Sequence, residues 1–168
     1  MILETERLRL RKLALDDAGF ILRLLNDPSF IQNIGDRGVR TIDDAGSYIL
    51  QGPVASYEKF GFGLWLVEMK DSGAALGMCG LLKREVLEDV DIGYAFLPEF
   101  WSRGYALESA AAVKSYAKEK LGLKRLVAVT NADNQSSIRL LGKIGFEYEK
   151  MVRLSEGAPE IKLFAVDF

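Results

Sequence analysis

Apolar and polar positions alternate from Arg7 to Leu13. Leu8 and Leu10 fall on one side of an extended chain and Arg7, Arg9 and Arg11 on the other, so the segment predicts a strand with one polar face. Asp16 or Asp17 is placed to cap a helix whose apolar set includes Phe20, Ile21, Leu24 and Leu25, with Pro28 as its stop. Signals mix from Ser29 to Arg40, which reads as short helix or loop, and residues 43–58 predict a further helix broken near Gly52-Pro53. Strands follow at residues 61–68 and 75–82, joined by the turn sequence Asp71-Ser72-Gly73, and at residues 86–97, ended by Pro98. Residues 104–121 form the clearest helix, rich in Ala, Leu, Glu and Lys and closed by Gly122. A buried-type strand at 124–130, a helix at 134–144 stopped by Gly145, and strands at 146–153 and 161–168 complete the pattern. A meander of strands followed by strand-helix-strand-helix-strand implies an α/β (α+β) fold with one mixed sheet and helices on its faces, in a single domain over residues 1–168.

Composition narrows the chemistry. Hydrophobic residues make up 49% and charged residues 27%, an ordinary globular balance. The net charge of −2 argues against non-specific nucleic-acid binding, which needs a basic excess. No apolar run approaches the roughly 20 residues that span a bilayer, and the first residues do not read as a signal peptide, so no membrane association is expected. The one cysteine, Cys79, permits no intrachain disulfide; it suits a reducing cytoplasm and reads as a small buried hydrophobe. There is no histidine, which removes Ser-His-Asp and Cys-His catalysis and the HExxH zinc site, and no metal site is expected. Chemistry is left to carboxylates, hydroxyls, lysines, backbone dipoles or a cofactor.

The stretch Pro98-Glu99-Phe100-Trp101-Ser102-Arg103-Gly104-Tyr105-Ala106-Leu107-Glu108 carries a strand through a loop into the long helix. A helix start offers unpaired N–H groups and partial positive charge, and glycine lets backbone approach an anion, so the stretch can cradle phosphate. It can equally be an ordinary strand-to-helix turn. No GxxxxGK[ST] is present, and Gly61-Phe62-Gly63 continues as a strand where a dinucleotide loop would open a helix.

With Leu3-Glu4-Thr5-Glu6-Arg7-Leu8-Arg9-Leu10-Arg11, Asp91-Ile92-Gly93-Tyr94 through Glu108, and Asn134 through Phe146 in order and in register, the chain resembles the Gcn5-related N-acetyltransferases (GNAT), in the branch that acetylates ribosomal-protein N-termini. The resemblance implies a mostly antiparallel sheet of about seven strands with a splayed central parallel pair and about four helices. It also implies direct transfer from acetyl-CoA to an amine in a ternary complex, by a monomer or homodimer. By match, the backbones of Phe96 and Leu97 pair with pantetheine. Arg103, Gly104, Tyr105, Ala106 and Leu107 present N–H groups to the pyrophosphate. Asn134 bonds pantetheine, a role that competes with simple helix capping.

Asp91 matches an acidic position of the family and is the candidate base, against the plainer reading of a salt-bridged strand carboxylate. Many relatives protonate the departing thiolate with a tyrosine where this chain has Leu141. Ser137, four residues earlier, matches the serine proposed for that role in the ribosomal-protein branch, and it competes with a first-turn structural serine. Glu108 reads as a structural carboxylate at a helix start, and Arg7, Arg9, Arg11 and Lys12 as the exposed face of an edge strand. The acceptor amine stays open between a peptide N-terminus and a small molecule such as a polyamine, amino acid or antibiotic. A non-catalytic CoA-binding sensor and an unrelated nucleotide-binding domain are the readings from other classes.

Overall fold

In the computed structural model, which describes residues 1–168, the chain runs β1 (Leu3–Glu4), β2 (Leu8–Lys12), α1 (Ala18–Leu25), α2 (Pro28–Asn33), α3 (Ile42–Ile49), α4 (Ala55–Phe60), β3 (Leu64–Met69) and β4 (Ala75–Leu82). It continues β5 (Asp91–Phe96), α5 (Tyr105–Glu119), β6 (Arg125–Thr130), α6 (Gln135–Lys143), β7 (Glu147–Val152) and β8 (Ile161–Asp167). All eight strands join one mixed sheet in the order β1-β2-β3-β4-β5-β6-β8-β7, as expected for an α/β chain of this pattern. Every neighbouring pair is antiparallel except β5 and β6.

Helices cover both faces. α5 lies on one face through Ala110, Val113 and Ala117, a small-residue stripe at helical spacing that packs with Trp65, Leu81 and Phe96. α1, α2 and α3 cover the other face, where Ile21, Leu24, Leu25, Phe30 and Ile49 pack on Leu66 and Met78. The two faces follow strand alternation: on β5, Ile92, Tyr94 and Phe96 belong to the α5 side and Ala95 to the α1–α3 side.

Several expectations are corrected. Pro28 does not merely stop α1, which ends at Leu25; it starts α2 at its first turn, where its missing N–H costs nothing, with Asp27 as cap accepting from Ser29 N–H at 2.9 Å. Asp17 precedes α1 but does not cap it with its side chain; its carboxylate binds the Arg11 guanidinium and the Ala14 N–H. Residues 86–90 lie outside β5, which begins at Asp91. The arginine stripe of β2 is not an exposed edge. β2 lies between β1 and β3, and Arg7, Arg9 and Arg11 pair with Glu108, with Glu4 and Glu68, and with Asp17 and Glu68. The break near Pro53 is present as a π-helical turn, Leu50–Val54, between α3 and α4.

Candidate active site

β5 and β6 are the only parallel neighbours, and they hold together at one end alone. Asp91 opposite Val127 is their single register pair, with Val127 N–H donating to Val90 at 3.1 Å. Beyond it the strands part. Leu97 N–H donates to Leu76 on β4 at 3.1 Å, so by antiparallel alternation the backbone groups of Tyr94 and Phe96 point the other way, into the split. This revises one expectation. Phe96 faces the split, whereas Leu97 spends its N–H on β4 and its carbonyl on the Phe100 N–H; Tyr94 takes its place beside Phe96. The Phe96 carbonyl already accepts from the Trp101 indole at 2.9 Å, which leaves its N–H free to pair.

The loop leading to α5 is shaped as an anion nest. Ser102, at φ 62, is the one non-glycine residue with positive φ, and Gly104 follows at φ 84. Alternating left-handed and right-handed residues turn successive N–H groups to one side, and a strained serine there is the kind of outlier found at functional sites. None of the N–H groups of Arg103, Gly104, Tyr105, Ala106 and Leu107 has an acceptor within the chain. They converge at the start of a 15-residue helix, where the backbone dipole adds positive potential.

The loop is braced from behind by Arg7. Its guanidinium donates to the Arg103 carbonyl at 3.0 Å and to Glu108 at 2.7 Å, and lies 4.5 Å from the centre of the Tyr105 ring. Glu108 also accepts from the Thr5 hydroxyl at 2.6 Å and from the Arg7 N–H at 2.9 Å. Burial works to raise the Glu108 carboxyl, but these donors outweigh it and hold it below its ordinary value. Glu108 is structural, as expected, but by tying α5 to the β1–β2 turn rather than by capping.

A cavity of roughly 730 Å³ passes through the split and is lined from both faces of the sheet. On the α5–α6 side stand Tyr94 and Ser137, their hydroxyls 2.7 Å apart. Burial pushes the Tyr94 phenol up to about 12, against the Ser137 hydrogen bond, so it keeps its proton. Asn134 accepts from the Ser137 N–H at 3.2 Å, so it is the cap of α6; its amide N–H₂ has no partner and lies in the cavity wall. Leu141 is buried in the core, one turn below Ser137.

On the other side lies Asp91, 1% exposed, with the Arg84 Nε at 3.2 and 3.3 Å from its two oxygens. Burial raises its carboxyl to about 6, with Arg84 and Lys83 pulling down. It is therefore both the salt-bridged strand carboxylate and a group able to exchange a proton near neutrality. Tyr48, Arg37 and Phe30 complete this wall. Sequence reasoning passed over Tyr94, Ser102, Arg7 as a brace, Arg37 and Arg84. Tyr94, Ser102 and Arg7 carry a signal only through their places in the three matching stretches, and Arg37 and Arg84 carry none. Cys79 is fully buried, and burial raises its thiol to about 12, so it is inert as expected.

The residues present fit a ligand that is anionic at one end and extended at the other: a nest of free N–H donors, then an unpaired strand edge, then a hydroxyl pair. Comparison with known proteins agrees. Residues 7–147 match the family model for the acetyltransferase (GNAT) domain. The uncharacterized N-acetyltransferase YoaA of Bacillus subtilis is 35% identical over 153 residues, covering 90% of this chain and 86% of that protein. An acetyltransferase structure from Agrobacterium tumefaciens superposes with a TM-score of 0.84 at 24% identity, over 99% of this chain and 94% of the other. RimL, a ribosomal L7/L12 α-N-protein acetyltransferase in complex with coenzyme A, superposes with a TM-score of 0.85 at 18% identity, over 99% and 97% of the two chains.

Proposed function

The chain belongs to the GNAT acetyltransferase family, and from that premise we propose that it transfers acetyl from acetyl-CoA directly to the α-amine of a peptide or protein N-terminus. The observation that carries this reading is the continuity of the free Arg103–Leu107 N–H groups with a split β5–β6 edge and a cavity reaching Asp91.

In this reading the Arg103–Leu107 nest binds the pyrophosphate, Gly104 letting the backbone close on it. Phe96 and Tyr94 lend backbone groups to the pantetheine arm, and the Asn134 amide adds a donor. The thioester lies in the split, so the amine approaches from the Asp91 side and the sulfur departs toward Ser137. The nitrogen lone pair attacks the carbonyl carbon, the C–S bond breaks, and its electron pair stays on sulfur. Tyr94, the more acidic hydroxyl, donates to Ser137, whose own proton is thereby turned to the sulfur. A thiolate with a reference pKa of about 8.5 needs stabilisation rather than full protonation to leave.

Asp91 receives the ammonium proton, directly or through water. Its strength as a base bears on the acceptor. An α-amine, with a reference pKa of ~8, gives its proton to a carboxylate raised to about 6 more readily than a lysine-type amine at ~10.4 does. The α-amine is the better match, and RimL, with its nearly complete overlap in fold, acts on one.

Free-thiol release from acetyl-CoA across a panel of N-terminal peptides, lysine side-chain amines and small amines tests this. Turnover led by peptides with free α-amines, abolished by blocking that amine, is the expected result. Turnover confined to small-molecule amines would reassign the acceptor, and tight acetyl-CoA binding with no turnover on any amine would make the chain a sensor.

A further inference from the structure

The acceptor side of the cavity has an unexpected charge. The chain as a whole carries 24 acidic and 22 basic residues, yet its acceptor wall offers Arg37 and Arg84 and a single carboxylate, Asp91, already held by Arg84. A second cavity, about 300 Å³, adjoins the first: both are walled by Tyr48, Leu64 and Leu82. Its charged lining residues are Lys59 and Lys83, with no acid. The two spaces meet close to Asp91, because Leu82 is the cross-strand partner of Asp91 on β4.

Three of these four cations have no acid partner, and the fourth, Arg84, is paired with Asp91 through Nε alone. Arg37, Lys59 and Lys83 form no ion pair. Lys83 is held by the carbonyls of Arg84 at 3.1 Å and Leu87 at 2.6 Å, which orient its charge without cancelling it. Arg84 gives its Nε to Asp91 and makes no hydrogen bond through its two terminal nitrogens. Of the other arginines, Arg7, Arg9, Arg11, Arg23, Arg40, Arg125 and Arg153 are bound to acids, while Arg103 and Arg139 share with Arg37 the lack of an ion pair. Unpaired cations gathered along one groove mark a surface that receives negative charge.

We propose that the acceptor is a peptide N-terminus with acidic side chains directly behind its α-amine, and that Arg37, Lys59, Lys83 and Arg84 receive them. This rests on the peptide-acceptor reading above and names its specificity. The α-amine reaches Asp91 in the first cavity, and the following residues, at ~3.3 Å each when extended, pass Tyr48 into the second. A polyamine brings positive charge to the same walls and is disfavoured.

The test uses three peptides that differ only at positions two and three: Asp-Glu, Asn-Gln and Lys-Lys. Their kcat/KM is measured by thiol release at saturating acetyl-CoA. The acidic peptide is expected to exceed the neutral one by about tenfold and the basic one by more, with the differences shrinking as salt rises. In the double variant Arg37→Glu, Lys59→Glu, which touches neither Asp91 nor the nest, the order should flatten or invert while acetyl-CoA affinity and melting temperature hold. Equal kcat/KM for the three peptides, or an order unchanged by the charge reversal, overturns the proposal and leaves the peptide-acceptor reading standing. Turnover of small amines with no peptide acetylated at all defeats that reading, and this specificity falls with it.

Discussion

The loop before α5 and the wall beside Asp91 are two ends of one cavity, and they are made of different materials. The first is main chain: N–H groups from five consecutive residues, Arg103 to Leu107, shaped by the left-handed Ser102 and Gly104. The second is side chain: Arg37 from the loop after α2, Tyr48 from α3, Arg84 from the β4–β5 connection and Asp91 from β5. A backbone nest serves any chain that folds this way and suits a ligand that does not change. Side chains drawn from separated segments can be exchanged singly, which suits an acceptor that differs between relatives.

The difference can be broken at the nest first. Gly104→Asp places a carboxylate at φ 84, its Cβ 3.2 Å from the Arg7 guanidinium, and beside the N–H groups that would bind pyrophosphate. Acetyl-CoA affinity measured by calorimetry should fall on the order of a hundredfold or more, since a like charge faces the ligand. The fold should survive with a melting temperature a few degrees lower, because Gly104 is exposed but a side chain at φ 84 is strained.

Asp91→Asn attacks the other end. Turnover should fall roughly a hundredfold near neutrality, the lower range for a lost general base, with acetyl-CoA affinity retained. The sign of the pH dependence follows from burial. With the Asp91 carboxyl raised to about 6, its basic form grows as pH rises through 6, and kcat/KM of the parent should climb there. The variant lacks that limb, and its deficit should shrink above the α-amine pKa of ~8, where the acceptor loses its proton unaided. A deficit constant with pH would make Asp91 a positioning group.

Smaller effects sharpen the contrast at the split itself. Ser137→Ala should lower the single-turnover rate tenfold to a hundredfold while affinity holds, because the bond to sulfur strengthens as the thiolate forms. Tyr94→Phe should cost less, roughly tenfold, and should add little in the Ser137→Ala background if Tyr94 acts by orienting that hydroxyl. Additive losses would separate the two. The smallest effect is expected at Arg7→Ala, a brace and not a ligand: several-fold weaker acetyl-CoA binding, with unchanged turnover at saturation.

These two ends also differed in how far they could be read beforehand. The strand-loop-helix run with Gly104 announces a nest because backbone geometry follows local sequence, and the splay of β5 from β6 followed from family resemblance. Which β5 residues face the split is not legible from sequence: the Leu97–Leu76 bond sets the alternation and puts Leu97 out of phase with the split. Arg84 and Asp91 lie seven residues apart, but a turn and a strand had to fold before their pairing was visible. Arg37 and Lys59 have no local pattern; only the fold brings them to one groove. The Arg7 stripe misled because an alternating basic strand looks like an exposed edge until its carboxylate partners are in place.

The most direct test of the central claim follows backbone amides rather than activity. In a ¹⁵N-labelled sample titrated with acetyl-CoA, the amides of Arg103 to Leu107, with that of Phe96, should show the largest shift changes and the strongest gain in exchange protection. Saturable binding that leaves those amides unmoved, with the response centred elsewhere in the chain, would contradict it.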